Sequence, residues 1–401
     1  MQLSATEQMT VAGACRATPN ARAHAGSSTT APAPALAAAT DLGIIRLAAR
    51  VPRGLVEPEA GAWSTTMHVF IPGGTGAAGR ALIRQLQSDG PPVSVSVMSR
   101  TATSLALPGV AGVLTGHYGG LARSGALAPL LEGADAVVHL ADGLSVLQEP
   151  RFAADHGHAE ALMAASQELA LAARAAGVPL FVYVSSIKAL CDEDDDRVLG
   201  EASPSRARSL YGRCKLRLEE TIARALAGSG TQLVIVRNPV MYGTAKAGSM
   251  GRLVRLADTA LPLPLGGLTN RRSLLALGNF ASALGAIVRC PPQRAGDVFH
   301  VHDGPALSTT EIVAALRAGL GRPRRLFAVS EAAAALARHL PLAGPAARRL
   351  CGSLEVSDAH FRRTFHWTPP VETRTALAEM AAAHAAARGS DAISPAALRH
   401  G

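Results

Sequence analysis

Aromatic residues make up only 3% of this 401-residue chain, and lysine is scarcer still. Of 39 Lys+Arg, only Lys188, Lys215 and Lys246 are lysine. The formal charge of +9 would suit a nucleic-acid binder. However, the arginines are scattered, no basic run occurs, and the aromatics are too few for a stacking platform. The charge reads instead as solubility plus attraction for an anionic ligand. Cysteine is sparse and odd in number: Cys15, Cys191, Cys214, Cys290 and Cys351 form no CxxC or Cys/His ligand spacing. That argues against a disulfide framework and a zinc site, predicts no metal, and fits a reducing cytoplasm. Long apolar runs are missing too. The longest, Leu274 to Val288, is too short to span a bilayer and carries Asn and Ser, so no membrane role is expected.

What is present is 48% hydrophobic residues, enough for a large core and two lobes. Residues 1–66 are rich in Ala, Thr, Pro and Arg and read as a disordered extension, or as a start assigned too early, since Met67 opens "MHVFIPGGTGAAGRAL". From there short β-rich runs alternate with alanine-rich helical ones. "HVFI", "VSVSVM", "GVAGVL", "DAVVHLA", "LFVYVSS" and "QLVIVRNP" read as strands, and the intervening segments carry helical period. This alternation predicts an α/β fold, a Rossmann-like doubly wound parallel sheet over 67–245. Residues 246–386, broken by "LPLPLGG" and "PLAGPA", read as a smaller mixed α/β substrate lobe, from which 297–302 returns toward the sheet; 387–401 form a tail.

Between the first strand and first helix lies Gly73-Gly74-Thr75-Gly76-Ala77-Ala78-Gly79. Glycines there let backbone N–H groups approach a pyrophosphate at the positive end of a helix. The second strand ends "VMSRTAT", without an acid for a ribose 2′-hydroxyl, and Arg100 suits a 2′-phosphate. NADP(H) is therefore favoured over NAD(H). The stretch "SLYGRCKLRLEE" places Tyr211 and Lys215 four apart on one helical face. A phenol is a poor proton carrier at neutral pH unless an ammonium stabilises its phenolate. Ser186, closing the strand "LFVYVSS", can bond the same substrate oxygen.

The glycine loop, "HLA" (139–141), "VSSIKA", YxxxK and "RNPVMYG", in this order, resemble the extended short-chain dehydrogenase/reductase family of nucleotide-sugar enzymes. The resemblance covers about Met67 to Ala386. It implies Tyr211 as general acid/base, Lys215 as its partner and a ligand of the nicotinamide ribose, and Ser186 orienting the reacting oxygen. Gly73, Gly76, Ala77, Ala78, Gly79, Arg100, Leu140, Ala141 and Asn238 would line the cofactor, while Ser249 and Arg272 would meet a UDP-sugar. "LPLPLGGLTNRRSL" is similar to the substrate segment of UDP-sugar 4-epimerases and 4-keto-6-deoxy-sugar 4-reductases. "SSIK" with "NRRSL" favours the reductase, which acts in polysaccharide biosynthesis. A 4,6-dehydratase would need an Asp-Glu pair where Ile187-Lys188 stands. The family also implies a homodimer through the Tyr211 helix.

Departures from the family pattern are His117-Tyr118 in place of an adenine-contacting Asp, Leu162 in place of an Asn supporting the lysine, Asn238 for a proline, and Gly278 for an acid. They leave a 4-epimerase, or a degenerate NADP(H)-binding module without catalysis, as alternatives to the reductase.

Overall fold

The computed structural model describes residues 66–99, 109–116, 126–192, 197–243, 248–292, 296–330 and 344–393, with a few positions between 331 and 343. Arg100, His117, Tyr118 and the chain before residue 66 lie outside the described residues.

The first part of the chain runs β1 (Met67–Pro72), α1 (Ala77–Ser88), β2 (Val93–Ser99), β3 (Val110–Thr115), α2 (Ala128–Leu131) and β4 (Ala136–His139). It continues through α3 (His156–Ala175), β5 (Leu180–Ser186), β6 (Val198–Leu199), α4 (Leu210–Leu226) and β7 (Gln232–Asn238). Then come β8 (Val240–Tyr242), α5 (Gly248–Ala257), β9 (Leu263–Gly266), β10 (Leu274–Ala276), α6 (Leu277–Arg289) and β11 (Asp297–His300). The last elements are α7 (Thr309–Gly319), β12 (Leu326–Ala328), α8 (Gly344–Cys351), β13 (Glu355–Val356), α9 (Ala359–Phe365) and α10 (Thr373–Ile393).

Seven strands form one sheet in the order β3-β2-β1-β4-β5-β7-β11, and every neighbouring pair is parallel. Parallel strands are covered on both faces, which is why these segments are apolar almost throughout. The period-2 alternation of β1 shows the two layers. Phe70 packs with Leu169 of α3 and Leu218 of α4, while Val69 and Ile71 pack with Leu82 of α1 and Phe280 of α6. Each such fully buried side chain contributes about 1.5–3 kcal/mol.

The strand order reverses between β1 and β4. In open parallel sheets a ligand crevice forms at such a reversal, beyond the carboxyl ends of the strands. After β7, α6, β11 and α9 join the main core, while β8, α5, β9, β10, α7 and α10 build a separate one from Tyr242, Val254, Leu265, Ile312, Leu316 and Leu377. From within that region β11 comes back to the main sheet, pairing His300 with Arg237 at the end of β7.

Helix α4 begins where local chemistry permits. Ser209 caps it by accepting from the Gly212 amide at 3.0 Å, and the Asp192 carboxylate accepts from the Ser209 amide at 3.0 Å. Leu210, Cys214, Leu218 and Ile222 repeat at four-residue intervals and bury one stripe against the sheet. This seating fixes the angle at which Tyr211 and Lys215 enter the crevice.

Candidate active site

The loop after β1 turns tightly at Gly73, whose φ of +88° suits glycine. A Cβ on Gly73 would come within 3.0 Å of the Ala141 Cβ, so the loop lies directly against Leu140-Ala141 at the end of β4. A Cβ on Gly79 would lie 2.3 Å from the Gly74 Cα, so the first turn of α1 is pressed onto the loop backbone. Gly76 precedes α1 with no side-chain cap, leaving the helix N-terminus to the amides around Ala77 and Ala78. That cradle fits a diphosphate, an anion attracted by the helix dipole.

Across the crevice, Ser186 and Asn238 are paired in register at the ends of β5 and β7. The Asn238 side chain is 7% exposed and its Nδ2 donates to the Pro239 carbonyl at 3.1 Å. Its Oδ1 is buried with no partner among the described residues. An orphaned acceptor beside the strand ends fits a bound donor such as a nicotinamide carboxamide.

Tyr211 and Lys215 are buried, at 8% and 5% exposure. Helix α4 reaches the turn that follows Ser186 because Gly212 has no side chain: a Cβ there would fall 2.4 Å from the Lys188 carbonyl oxygen. The approach places two ammonium groups at the phenol, the Lys215 Nζ 5.8 Å and the Lys188 Nζ 5.7 Å from the Tyr211 ring centroid. Ser186 Oγ accepts from the Lys188 amide at 3.2 Å. The structure thus gathers Ser186, Tyr211, Lys215, Leu140, Ala141, Asn238 and the glycine loop around one crevice.

Sequence reasoning missed Asp142. Its Oδ2 lies 2.5 Å from the Lys215 Nζ and accepts from the Tyr183 hydroxyl at 2.8 Å, all three side chains being buried. Burial alone would push the Asp142 carboxyl up, but the charge and hydrogen bond of Lys215, with His139 and the Tyr183 hydroxyl, together more than offset this and hold it below the usual carboxylate range. Burial pushes the Lys215 ammonium down, and Asp142 chiefly, with Tyr211 and Glu219, reverses that, leaving it above its ordinary value. The charged pair is therefore the stable form. Lys215 also donates to the Val184 carbonyl at 3.0 Å. Support for the lysine comes from the loop after β4, whereas Leu162 of α3 lies against Gly143. The signal was a single acid directly after the apolar "HLA".

Glu219 and Arg237 were missed as well. Glu219 extends the Tyr211–Lys215 face by one more turn, a spacing visible in the sequence. Its carboxylate binds the Arg237 guanidinium at 2.6 Å and accepts from Ser185 Oγ at 2.5 Å.

The expected substrate residues are placed less tightly. Arg272 is half-buried and its guanidinium donates to the Gly352 carbonyl at 2.8 Å, while its backbone pairs with Leu307. Ser249 is exposed in the first turn of α5, and no described contact joins it to the crevice. Among the described residues no group of three or more His, Cys, Asp or Glu could hold a metal, and no helix is long and apolar enough to cross a membrane.

With this geometry in view, residues 69–301 match the model of the NAD dependent epimerase/dehydratase family. The chain belongs to that family. A UDP-glucose 4-epimerase of Vibrio cholerae is 30% identical over 247 residues, 60% of this chain and 74% of that protein. Among solved structures, a dTDP-glucose 4,6-dehydratase of Streptomyces venezuelae with NAD bound has a TM-score of 0.61 at 22% identity, covering 81% of this chain and 98% of that one. A human epimerase family protein with NADPH has a TM-score of 0.59 at 21% identity, covering 79% and 99%. These likenesses establish the Rossmann-like α/β fold. The Streptomyces structure holds NAD and the human one holds NADPH.

Proposed function

We propose that this protein transfers a hydride between a nicotinamide cofactor and C4 of a UDP-sugar, with Tyr211 as general acid/base. The observation that carries this reading is the buried Tyr211–Lys215 pair, whose lysine is bonded to Asp142 directly after the Leu140-Ala141 segment on which the glycine loop lies. When bound, the nicotinamide supplies the hydride acceptor or donor. Every other requirement falls to side chains. Tyr211 takes or returns the hydroxyl proton at C4, a role typically worth about 10²–10⁴-fold in rate. Ser186 orients the reacting oxygen, and Lys215 supplies positive charge beside the phenol. The Gly73–Gly79 loop and Asn238 hold the cofactor. Arg272, a planar bidentate donor, suits the UDP diphosphate once its Gly352 contact is exchanged.

Elimination of water to a 4,6-dehydrated sugar is disfavoured because Ile187 and Lys188 follow Ser186. Neither can act as the acid and base of that step. Two outcomes remain that share the C4 chemistry. "SSIK" and "NRRSL" support reduction of a UDP-4-keto-6-deoxy-hexosamine. The 30% identity to a UDP-glucose 4-epimerase supports epimerisation. Purified protein mixed with NADPH and a UDP-4-keto-6-deoxy-hexosamine decides between them. Loss of the nicotinamide absorbance is expected of the reductase. No oxidation, with NAD released on denaturation and interconversion of UDP-glucose and UDP-galactose, would establish the epimerase.

A further inference from the structure

Four arginines, Arg317, Arg322, Arg324 and Arg325, stand close together at the end of α7 and on the loop that follows it. Arg317, Arg322 and Arg325 line a cavity of about 240 Å³ with Thr259, Ala260 and Pro323. The place is remote from the crevice. Thr309 opens α7 beside Asn270, two residues before Arg272, whereas the cavity lies at the other end of that 11-residue helix, about 16 Å away.

Arg317 is the anomaly. It is 1% exposed, and its Nη groups donate to the backbone carbonyls of Pro323, Arg324, Thr259 and Leu261 at 2.7–3.3 Å. Tying the loop after α7 to the loop before β9 with several donors accounts for a guanidinium at this position. It does not account for the charge. Carbonyl dipoles offset only part of a buried cation, and among the described residues no carboxylate bonds to Arg317. Its Nε is buried without a partner. Burial, then the nearby charges of Arg325 and Arg322, hold the group below its ordinary value. Asp258, just before Thr259, is already occupied: Arg322 Nε donates to its Oδ1 at 3.0 Å, and Arg388 holds its Oδ2.

We propose that Arg317, Arg322 and Arg325 form an anion site for a phosphate group, free or carried by a small metabolite, separate from the substrate crevice. An anion there supplies the charge that Arg317 lacks. Arg322 and Arg325 are exposed and can bond it directly, with Arg317 a fixed charge behind them. The cavity is large enough, since a water occupies only about 30 Å³ and a tetrahedral dianion fits with part of its hydration. Arg325 also carries backbone strain. Its φ of +26° is rare for a residue with a Cβ, and such conformations concentrate at ligand clamps. Its Nη1 donates to the Ala260 carbonyl at 3.3 Å, so the side chain reaches from one loop to the other. The proposal does not depend on the chemistry at Tyr211.

The test is isothermal titration calorimetry of inorganic phosphate into the full-length, NADPH-loaded protein, with chloride holding ionic strength constant. One phosphate site outside the crevice is expected. The exposed arginines are the ones to change, because Arg317→Met would also break the bonds between the two loops. Arg325→Gln and Arg322→Gln should each weaken binding roughly tenfold. Arg324→Gln removes the same charge from the same loop without altering the cavity lining, and should change affinity by less than about twofold. Arg272→Gln should leave this binding intact. Glycerol 3-phosphate assigns the source: binding tighter than that of phosphate means a carried group, and weaker binding means the free anion. No binding by the wild type overturns the proposal. Equal losses in Arg324→Gln and Arg325→Gln overturn it too, since they would mean diffuse attraction to a basic surface. A loss confined to Arg272→Gln places the anion in the crevice and has the same consequence.

Discussion

The Arg237 guanidinium and the Glu219 carboxylate meet at 2.6 Å with both side chains almost wholly removed from water. A second contact runs from Arg237 Nε to Glu219 Oε1 at 3.0 Å, and Ser185 Oγ donates to the same oxygen at 2.5 Å. One carboxylate thereby pins β5, α4 and β7 together one turn below Lys215. Replacing such a pair by apolar groups is often neutral, but removing one partner strands a buried charge. Glu219→Ala is therefore expected to lose about 3–5 kcal/mol in urea unfolding. The Glu219→Met/Arg237→Met pair should lose much less. Equal losses would show that the ion pair itself is not what matters there.

The glycine loop gives a graded prediction, because its positions differ in what a methyl group would strike. Gly79→Ala would place a Cβ 2.3 Å from backbone, so α1 must shift; both melting temperature and cofactor affinity should fall. At Gly76 the nearest atom is the Gly73 carbonyl oxygen at 3.3 Å, so Gly76→Ala should fold nearly normally yet bind cofactor poorly. Gly278→Ala, in α6 with nothing within 4 Å, should be neutral or stabilising by roughly 0.5–1 kcal/mol. Thermal melts beside a nicotinamide-fluorescence titration separate the three. Normal cofactor binding by Gly76→Ala would count against the cradle.

The parallel sheet was legible because its strands are apolar runs bounded by glycine loops, and the Tyr211–Lys215 pair because four residues on a helix is a local spacing. Glu219 was equally local, one step further on the same face, and could have been read. Asp142 could not be read in the same way. It meets Lys215 across 73 residues of sequence, a contact created only when α4 packs beside the loop that follows β4. Helix α3 offers Leu162 and no Asn, and the partner of Lys215 stands on a different element. The substrate side is harder for the same reason. Arg272 finds Gly352 only through the packing of the second lobe, and nothing in "NRRSL" foretells that partner.

Stability should fall in mild acid, and the sign follows from two histidines. Burial lowers His139 and His300 to about 4, with Lys215 adding to the effect at the first and Arg237 at the second, against an ordinary value of 6.5. Between these values the unfolded chain binds protons that the folded one refuses. The folded state is therefore fully favoured above pH 6.5 and loses stability as pH falls toward 4, by up to about 3 kcal/mol for each histidine. Urea midpoints at pH 7 and pH 5 measure the loss. His300→Asn should shrink the pH-dependent difference even if it lowers both midpoints. A difference unchanged in that variant would remove His300 from the account.

Asn238 separates cofactor binding from folding. Its Nδ2 bond to the Pro239 carbonyl contributes about 0.5–1.5 kcal/mol, while a buried Oδ1 without a partner costs about 1–3 kcal/mol in desolvation. Asn238→Leu removes both and keeps the volume, so the cofactor-free protein should melt within a few degrees of wild type, or slightly higher. If Oδ1 serves a nicotinamide donor, the same change costs the complex one hydrogen bond, and the dissociation constant should rise about tenfold for about 1.4 kcal/mol. Melting with and without saturating NADPH reads both effects at once: an unchanged free protein beside a smaller cofactor-induced shift. A variant with the full shift would mean that Oδ1 faces no ligand. A collapsed free protein would mean that the Pro239 bond outweighs the orphaned acceptor.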